Sequence, residues 1–262
     1  MIAVQQNGRI PVLCPEKSKG KRVCAVIPVY NNGSTVRPVA EKTLRYISNL
    51  LILDDGSTDI DLKAILADLP LVYCRQEPNL GKGAALRRAL RLLADSGFDY
   101  MLTLDADGQH DPADIPAFLK LAENRGNLLV IGCRDFTGQP VPSGSRLGRK
   151  ISNLLLKLEC GIPTADSQSG FRMYPVRILA DLPFRCSRFD FETEVLAMAA
   201  QAGADFLDIP VKVHYPPMRE RITHFRPLPE LTRLTRLHFQ LLTKRLSRKK
   251  RHSERILRRE KK

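Results

Sequence analysis

Apolar runs alternate with helical stretches along most of the chain. Val23–Tyr30 reads "VCAVIPVY", a continuous β-branched run that ends at a polar turn, as expected of a strand buried on both faces. Similar runs are predicted to form strands at residues 50–54, 71–77, 100–104, 128–135 and 206–215. The stretches between them favour helices at residues 34–49, 61–68, 84–96, 113–124, 146–158 and 191–203. Strands that alternate with helices predict an α/β fold with a mainly parallel sheet flanked by helices.

Three polar clusters follow three of these predicted strands. Tyr30–Asn32, Asp54–Asp55 and Asp105–Gln109 each stand where an apolar run stops. The carboxyl ends of parallel strands meet at one edge of a sheet, and ligands bind beyond that edge. The sequence therefore predicts a binding site built from all three clusters.

The cluster "DADGQ" has the composition of a metal site. Asp105 and Asp107 are two residues apart, a spacing that points both side chains to the same side of a strand. Two carboxylates and the Gln109 carbonyl are oxygen ligands suited to Mg²⁺ or Mn²⁺, with substrate phosphates completing the coordination. The alternative is a solvated acidic turn.

The cluster Asp54–Asp55 and the glycine turn "NLGKG" at residues 79–83 each have their own interpretation. Asp54–Asp55 can form a turn in which a side chain accepts backbone hydrogen bonds, while the second carboxylate contacts a nucleotide base. The turn "NLGKG" lacks the Walker spacing, and we interpret it as a close approach to a nucleotide with Lys82 near a phosphate.

Cysteine usage and hydropathy exclude several classes of protein. The six cysteines form no Cys-x-x-Cys pair, which argues against a disulfide framework or a zinc site and favours a reducing compartment. No run approaches the roughly 18 apolar residues of a membrane span. We therefore expect a cytoplasmic protein.

The positive charge is concentrated at the C-terminus. Of the net charge of +14, residues 219–262 carry +12, from 16 Lys and Arg against 4 Asp and Glu. Leucines recur there at helical spacing, and a basic amphipathic helix of this kind binds anionic membrane surfaces. Alternatively, the leucines pack on the preceding domain; nucleic acid is not an expected partner, because aromatic residues are scarce in the tail. These leucines are Leu231, Leu234, Leu237, Leu241 and Leu242.

Seven motifs occur in an order that resembles family-2 glycosyltransferases. The motifs are "IPVYNN", "LDDGSTD", "NLGKGAAL", "LDADGQHDPADIP", "IGCRDF", "SQSGFRMY" and "FDFETEVL". They are most similar to the branch of dolichyl-phosphate mannose synthases and bacterial polyprenyl-phosphate sugar transferases. The resemblance covers residues 23–227 and implies a GT-A fold. We accordingly expect a flexible leader at residues 1–20, a catalytic domain at 21–227 and a basic tail at 228–262.

The resemblance also implies roles for individual residues. Asp107 and Arg134 would be catalytic, and Asp107 with Gln109 would bind Mg²⁺ or Mn²⁺. The nucleotide-sugar would contact Pro28, Tyr30, Asn32, Asp55, Lys82, Asp105, Ala106, Asp107, Gln109 and Arg134. The acceptor phosphate would contact Arg146, Arg149, Ser152, Arg219, Arg221 and His224. Asn32 replaces the glutamate of many relatives, so the base and the sugar stay open.

The implied reaction is metal-dependent transfer of a sugar from a nucleotide-sugar to a polyprenyl-phosphate or other lipid-linked acceptor, with inversion. The protein would then lie peripherally on the cytoplasmic face of a membrane, held by its tail. A saccharide or lipid hydroxyl is the alternative acceptor, and Glu192 or Glu194 would then supply a general base. A nucleotidyltransferase and a binding protein without activity are weaker alternatives.

Overall fold

A computed structural model of the chain describes residues 2–3, 20–123, 126–137, 141, 143–215 and 227–259. Within these ranges eight strands form one sheet in the order β1-β4-β3-β2-β5-β7-β6-β8. Strand β7 pairs antiparallel with β5 and β6, whereas the other neighbours are parallel. The strands are β1 (Ile2–Ala3), β2 (Val23–Val29), β3 (Leu50–Asp54), β4 (Val72–Arg75), β5 (Tyr100–Thr103), β6 (Leu128–Arg134), β7 (Arg172–Pro175) and β8 (Asp205–Val211).

Helices cover both faces of the sheet. They are α1 (Gly33–Leu44), α2 (Leu62–Ile65), α3 (Lys82–Asp95), α4 (Ile115–Ala122), α5 (Ser143–Cys160), α6 (Val176–Leu179), α7 (Phe191–Gln201) and α8 (Pro227–Arg259). Consecutive residues of the central strands belong alternately to two hydrophobic clusters, one on each face. The α/β architecture and the mainly parallel sheet are therefore confirmed.

Two strands differ from the sequence-based expectations. The sequence predicts a polar loop over "TADSQSGFRMY", but its last residues form β7 in the middle of the sheet. Strand β7 has only four residues and follows a polar segment, so its alternation of side chains is too short to predict a strand. Ile2–Ala3 pair in parallel with Val72 and Tyr73, so these two residues join the sheet, in contrast to the flexible leader expected over 1–20. The rest of that segment up to residue 19 lies outside the described residues.

Helix α8 packs on α5 and α7 through its first half. Leu237 and Leu241 are buried and cluster with Ala197 of α7. His238 Nδ1 lies 2.8 Å from a carboxylate oxygen of the buried Glu159 in α5. The alternative in which the tail leucines pack on the preceding domain is thus observed for two of them, whereas Leu231 is exposed. Among the described residues, no helix has the length and apolar character needed to cross a membrane.

Candidate active site

A pocket of about 610 Å³ opens beyond the carboxyl ends of β2, β3 and β5. Parallel strands β2, β3 and β5 are neighbours in the sheet, so the polar residues that follow them meet there, as the sequence predicts. The pocket is lined by Pro28, Val29, Tyr30, Asn32, Asp55, Asn79, Gly81, Lys82, Asp105, Ala106, Asp107, Arg188, Phe189, Pro229, Glu230 and Arg233.

Most of the residues that the resemblance assigns to the nucleotide-sugar line this pocket. They are Pro28, Tyr30, Asn32, Asp55, Lys82, Asp105, Ala106 and Asp107. Gln109 and Arg134 are not among the lining residues. The backbone carbonyl of Gln109 accepts a hydrogen bond from the backbone N–H of His214, which fixes the chain just after the acidic pair.

Asp55 holds the glycine turn in place. Its two oxygens accept hydrogen bonds from the side chains of Gln76 and Asn79 and from the backbone N–H groups of Leu80 and Gly81, at 2.5–2.9 Å. A carboxylate offers about four acceptor positions, and all four are used. Asp55 therefore anchors the pocket wall that it also lines, and its expected contact with a nucleotide base stays a prediction. Asp54 is fully buried and accepts from Tyr73 Oη at 2.6 Å.

The two glycines of "NLGKG" make room for another protein segment. Gly81 has φ +100°, and a Cβ there would lie 2.5 Å from the Ser187 carbonyl oxygen. A Cβ at Gly83 would overlap Phe191 Cβ. The chain preceding α7 thus passes close to both glycines and brings Arg188 and Phe189 to the pocket. The expected approach of this turn to a nucleotide stays a prediction.

Lys82 bridges two carboxylates inside the pocket. Its Nζ lies 2.6 Å from Asp105 Oδ1 and 2.7 Å from Glu192 Oε1. Burial opposes charge on this ammonium, but Asp105 and Glu192 outweigh it and raise the pKa of Lys82. Burial likewise opposes ionisation of Asp105, and Lys82 lowers the pKa of that carboxyl below its ordinary value. Both groups are charged at neutral pH.

Asp107 differs from Asp105 in lacking an ion-pair partner among the described residues. One of its oxygens accepts the Gln109 backbone N–H at 3.0 Å. Burial and the nearby charge of Asp105 raise the pKa of Asp107 to about 6. An uncompensated carboxylate lining this pocket fits a divalent cation, which would remove the repulsion.

The protein alone does not complete a metal site in the part of the chain that the structure describes. No three His, Cys, Asp or Glu side chains converge there. His110 is buried against Phe171, and burial lowers its pKa to about 4, so its neutral ring belongs to the core. A cation held by Asp107 would need further oxygen ligands from a bound diphosphate, as hard cations often do at nucleotide sites.

A second charged cluster adjoins the acidic pair. Arg134 makes two hydrogen bonds to the buried Asp166, from Nε at 2.7 Å and from Nη2 at 2.9 Å. Arg149 Nη1 lies 3.8 Å from the same carboxylate and donates to the Arg134 carbonyl at 3.3 Å. Both guanidinium groups lie over the ring of Phe136. Burial opposes ionisation of Asp166, but Arg134 holds its pKa below the ordinary value.

The residues that the resemblance assigns to the acceptor phosphate separate into three groups. Arg149 belongs to the cluster just described, and Ser152 lies beside it, accepting a hydrogen bond from Ser167 Oγ at 2.9 Å. Arg146 lies on the exposed side of α5. The remaining three, Arg219, Arg221 and His224, lie outside the described residues.

The predicted base candidates have different surroundings. Glu192 faces the pocket through Lys82. Glu194 is buried and accepts the backbone N–H groups of Arg185 and Cys186 at 2.9–3.1 Å. The contacts of Glu194 are therefore structural, whereas Glu192 is joined to the pocket through its ion pair with Lys82.

Several functional positions cannot be recognised in the sequence. A Cβ at Gly170 would overlap the Asp105 carboxylate, so the glycine of "SGFR" leaves space for the acidic pair. Arg172 in the same motif is fully buried and donates to the carbonyls of Ser167 and Glu192. The motif "SGFR" is visible in the sequence, but only the fold shows what these side chains contact. The same holds for the first two turns of α8, which contribute Pro229, Glu230 and Arg233 to the pocket.

The family comparison agrees with this geometry. The model of the family described as "Glycosyl transferase family 2" matches residues 24–182, a range that includes the strand-end clusters and Arg134. The chain belongs to glycosyl transferase family 2. It is therefore a glycosyltransferase, and the predicted family is confirmed.

Two relatives carry names that specify polyprenyl-phosphate acceptors. The chain is 28% identical to UDP-N-acetylglucosamine–dolichyl-phosphate N-acetylglucosaminyltransferase of Methanococcus voltae, over 74% of this chain and 86% of the relative. It is 25% identical to undecaprenyl-phosphate mannosyltransferase of Micrococcus luteus, over 72% of this chain and 82% of the relative. These family-2 transferases share most of their length with the chain.

Solved structures support the fold. Glucosyl-3-phosphoglycerate synthase of Mycobacterium tuberculosis, in complex with Mn²⁺ and UDP, superposes with a TM-score of 0.62 at 22% identity, covering 87% of this chain and 80% of that one. Mannosyl-3-phosphoglycerate synthase of Rubrobacter xylanophilus gives a TM-score of 0.64 at 18% identity, covering 90% and 77%. The GT-A fold is thereby confirmed.

Proposed function

We propose that this glycosyltransferase moves a sugar from a nucleotide-sugar to a polyprenyl phosphate or another lipid-linked phosphate, with inversion at the anomeric carbon. The observation that carries the proposal is that two neighbouring clusters of charged side chains have net charges of opposite sign. Asp107 has no cation partner among the described residues, whereas Arg134 and Arg149 share one carboxylate. The first cluster suits a cation-bound diphosphate, and the second suits an anionic acceptor.

The donor would occupy the pocket of about 610 Å³. Asp107 and, after side-chain adjustment, Gln109 would hold Mg²⁺ or Mn²⁺, which would neutralise the nucleoside diphosphate that leaves. Lys82 stays protonated between its two carboxylates and presents a fixed positive charge to the same phosphates. Tyr30 and Pro28 would contact the nucleoside.

The acceptor chemistry needs little from the protein beyond placement. A phosphate monoester has a second pKa of about 6, so it is an anionic nucleophile at neutral pH without a general base. Arg149 and Ser152 would position the acceptor phosphate so that its oxygen approaches the sugar carbon from the face opposite the diphosphate. Arg134 would help through its charge, because it is held at the same carboxylate.

The location of the acceptor requires contact with a membrane. Since the acceptor chain would be embedded in lipid, the enzyme would associate peripherally with the cytoplasmic face through the positive charge of α8. Each Lys or Arg near an anionic surface contributes about 1 kcal/mol of binding free energy.

A panel of nucleotide-sugars tests the proposal directly. The full-length protein is incubated with each donor and Mn²⁺, with or without polyprenyl phosphate, and release of nucleoside diphosphate is measured. We expect release from one donor to depend on polyprenyl phosphate and to stop in excess chelator. Transfer only to a polyprenol or saccharide hydroxyl would contradict the phosphate acceptor and point to Glu192 as base.

A further inference from the structure

Helix α5 carries apolar residues on the side that faces away from the protein. Leu147, Ile151, Leu154 and Leu158 are 59%, 50%, 56% and 52% exposed. Their spacing of four, three and four residues places them within about 60° of one another around the helix and over about 17 Å of its length. We call these four residues the outer stripe of α5.

The opposite side of α5 satisfies the contacts that the fold requires. Leu156 is fully buried in the hydrophobic cluster on that face of the sheet, and Glu159 is buried against His238. Arg149, on the same inner side, reaches Arg134 and Asp166. The outer stripe is thus not needed to hold α5 on the protein. Four exposed aliphatic residues aligned along one side of a helix form an interaction surface.

The charges beside the outer stripe have one sign. Arg146, Lys150 and Lys157 are exposed and lie about 90° around the helix from the stripe. The single acidic residue of α5, Glu159, is buried. At the C-terminal end of the stripe, the Arg245 guanidinium of α8 donates to the Leu158 carbonyl. A basic row next to an apolar stripe complements an anionic lipid surface.

We propose that the outer stripe of α5 lies in the interface of an anionic lipid bilayer. The stripe enters the boundary between head groups and acyl chains, and the basic row contacts the lipid phosphates. Arg149 and Ser152 lie on the inner side of the same helix, so binding in this orientation holds the acceptor cluster about one helix diameter, roughly 10 Å, from the membrane surface. This surface deepens the proposed function and rests on it, because it supplies a route for a lipid-linked phosphate.

A tryptophan reporter tests the position of the stripe. The chain contains no Trp, so Leu154→Trp gives a single tryptophan, at an exposed site, that can be excited selectively. Vesicles of phosphatidylcholine and phosphatidylglycerol should shift its emission to the blue, and lipids brominated along their acyl chains should quench it. The matched control is Tyr46→Trp, since Tyr46 is also exposed and α1 packs on the other face of the sheet. Equal quenching at both positions, or none at position 154, would overturn the proposal.

Substitutions in the outer stripe distinguish its contribution to membrane binding from that of the C-terminal tail. In Ile151→Gln/Leu154→Gln both changes are at exposed positions of a helix, where Gln is well tolerated. Vesicle partitioning should weaken by about tenfold or more, because two interfacial aliphatic side chains are lost. The control Tyr46→Gln/Ile60→Gln should bind like wild type. At 1 M salt, charges are screened beyond about 3 Å. The wild type should keep some vesicle binding under this condition, and the α5 variant should keep none.

Transfer assays distinguish this surface from the proposed function. The rate on a vesicle-embedded polyprenyl phosphate should fall in the α5 variant, while the rate on a short soluble analogue should not change. If no phosphate acceptor works but vesicle binding still depends on the stripe, the proposed function fails and the surface remains. If wild type self-associates in sedimentation, the α5 variant is monomeric and vesicle binding is unchanged, the stripe is a contact between copies and the bilayer proposal is wrong.

Discussion

The donor and acceptor sides of the site both contain ion pairs that share one charged partner, but the net charge left over has the opposite sign on the two sides. On the donor side, the two carboxylates of Asp105 and Glu192 share one ammonium, Lys82, while Asp107 has no ion-pair partner among the described residues. On the acceptor side, Arg134 and Arg149 share the single carboxylate of Asp166. The donor side therefore has an excess of negative charge, and the acceptor side has an excess of positive charge.

This difference indicates which ligand each side lacks. A buried surplus charge is costly unless a ligand neutralises it. The donor side calls for a cation that a diphosphate brings with it, and the acceptor side calls for an anion. The following experiments disturb one side or the connection between the two, from the largest expected effect to the smallest.

Removal of α8 should damage both sides at once. Deletion of residues 227–262 exposes the cluster of Ala197 with Leu237 and Leu241 and leaves the buried Glu159 without His238. We expect a loss of about 5 kcal/mol in the free energy of unfolding, from two buried leucines and one unpaired buried carboxylate. Urea denaturation measures it. A stable truncate that still binds nucleotide would show that the tail is independent of the pocket, as its sequence suggests.

The matched truncation removes residues 247–262 and leaves the packed half of α8. It deletes nine Lys and Arg against two Glu, so the pocket and the midpoint of unfolding should not change while binding to anionic vesicles weakens. Unchanged vesicle binding would place the charge-dependent contact elsewhere in the chain.

Replacement of Arg134 tests the acceptor side. From the sequence, Arg134→Ala is expected to reduce turnover more than thermal stability, but the bidentate pair with the buried Asp166 makes a stability loss of about 3 kcal/mol the expected result. Arg149 at 3.8 Å compensates only part of the charge of the buried Asp166. Thermal and urea unfolding check this result.

The double variant Arg134→Met/Asp166→Asn serves as the control for charge. It should recover much of the stability, because no buried carboxylate remains unpaired, but not the transfer rate. Recovery of both would reduce Arg134 to a structural residue.

Replacement of Asp107 tests the donor side. Asp107→Asn keeps the shape and removes the charge, so we expect transfer to fall by about a hundredfold or more as metal affinity is lost. The melting temperature should not fall, because the raised pKa shows that the charged form is disfavoured in the folded protein. Diphosphate release in Mn²⁺ and differential scanning fluorimetry give the two readings. Wild-type rates for this variant would remove the metal assignment.

The pH dependence of metal binding should be the smallest effect. The pKa of Asp107 is raised to about 6, so protons compete with a cation below pH 6, and Mn²⁺ affinity should fall up to about tenfold per pH unit. The metal-free protein should respond with the opposite sign. A carboxyl whose folded pKa exceeds its unfolded pKa gains protons on folding, and its contribution to stability rises as the pH falls from about 6 toward 4.

Calorimetric titration of the protein with Mn²⁺ in the presence of UDP, between pH 5 and 7, measures this dependence. The same titration of Asp107→Asn gives the contribution of the nucleotide's own protonation, which is subtracted. An identical pH slope in wild type and variant would exclude Asp107 as the group that competes with protons.

Much of the donor side can be predicted from the amino-acid sequence. Strands of continuous apolar residues alternate with helices, and that order forces the carboxyl ends of β2, β3 and β5 to one edge. The positions of Tyr30, Asp55 and Asp107 at the ends of apolar runs are therefore enough to place them together. The resemblance added Arg134 and Arg149, whose partner in Asp166 no local pattern reveals, because the three residues lie on separate segments.

Tertiary structure alone decided the rest, since each remaining feature depends on contacts between distant segments. An acidic pair at Asp54–Asp55 is evident in the sequence, but only the fold shows that Asp55 accepts three hydrogen bonds from the glycine turn and one from the Gln76 side chain. Helix α5 has apolar residues on two sides, and periodicity does not tell which side packs. Leu156 is buried and Leu154 is exposed because the sheet covers one side only. The periodicity of each element is thus a property of the sequence, and the packing of neighbouring elements determines which surface is left for a partner.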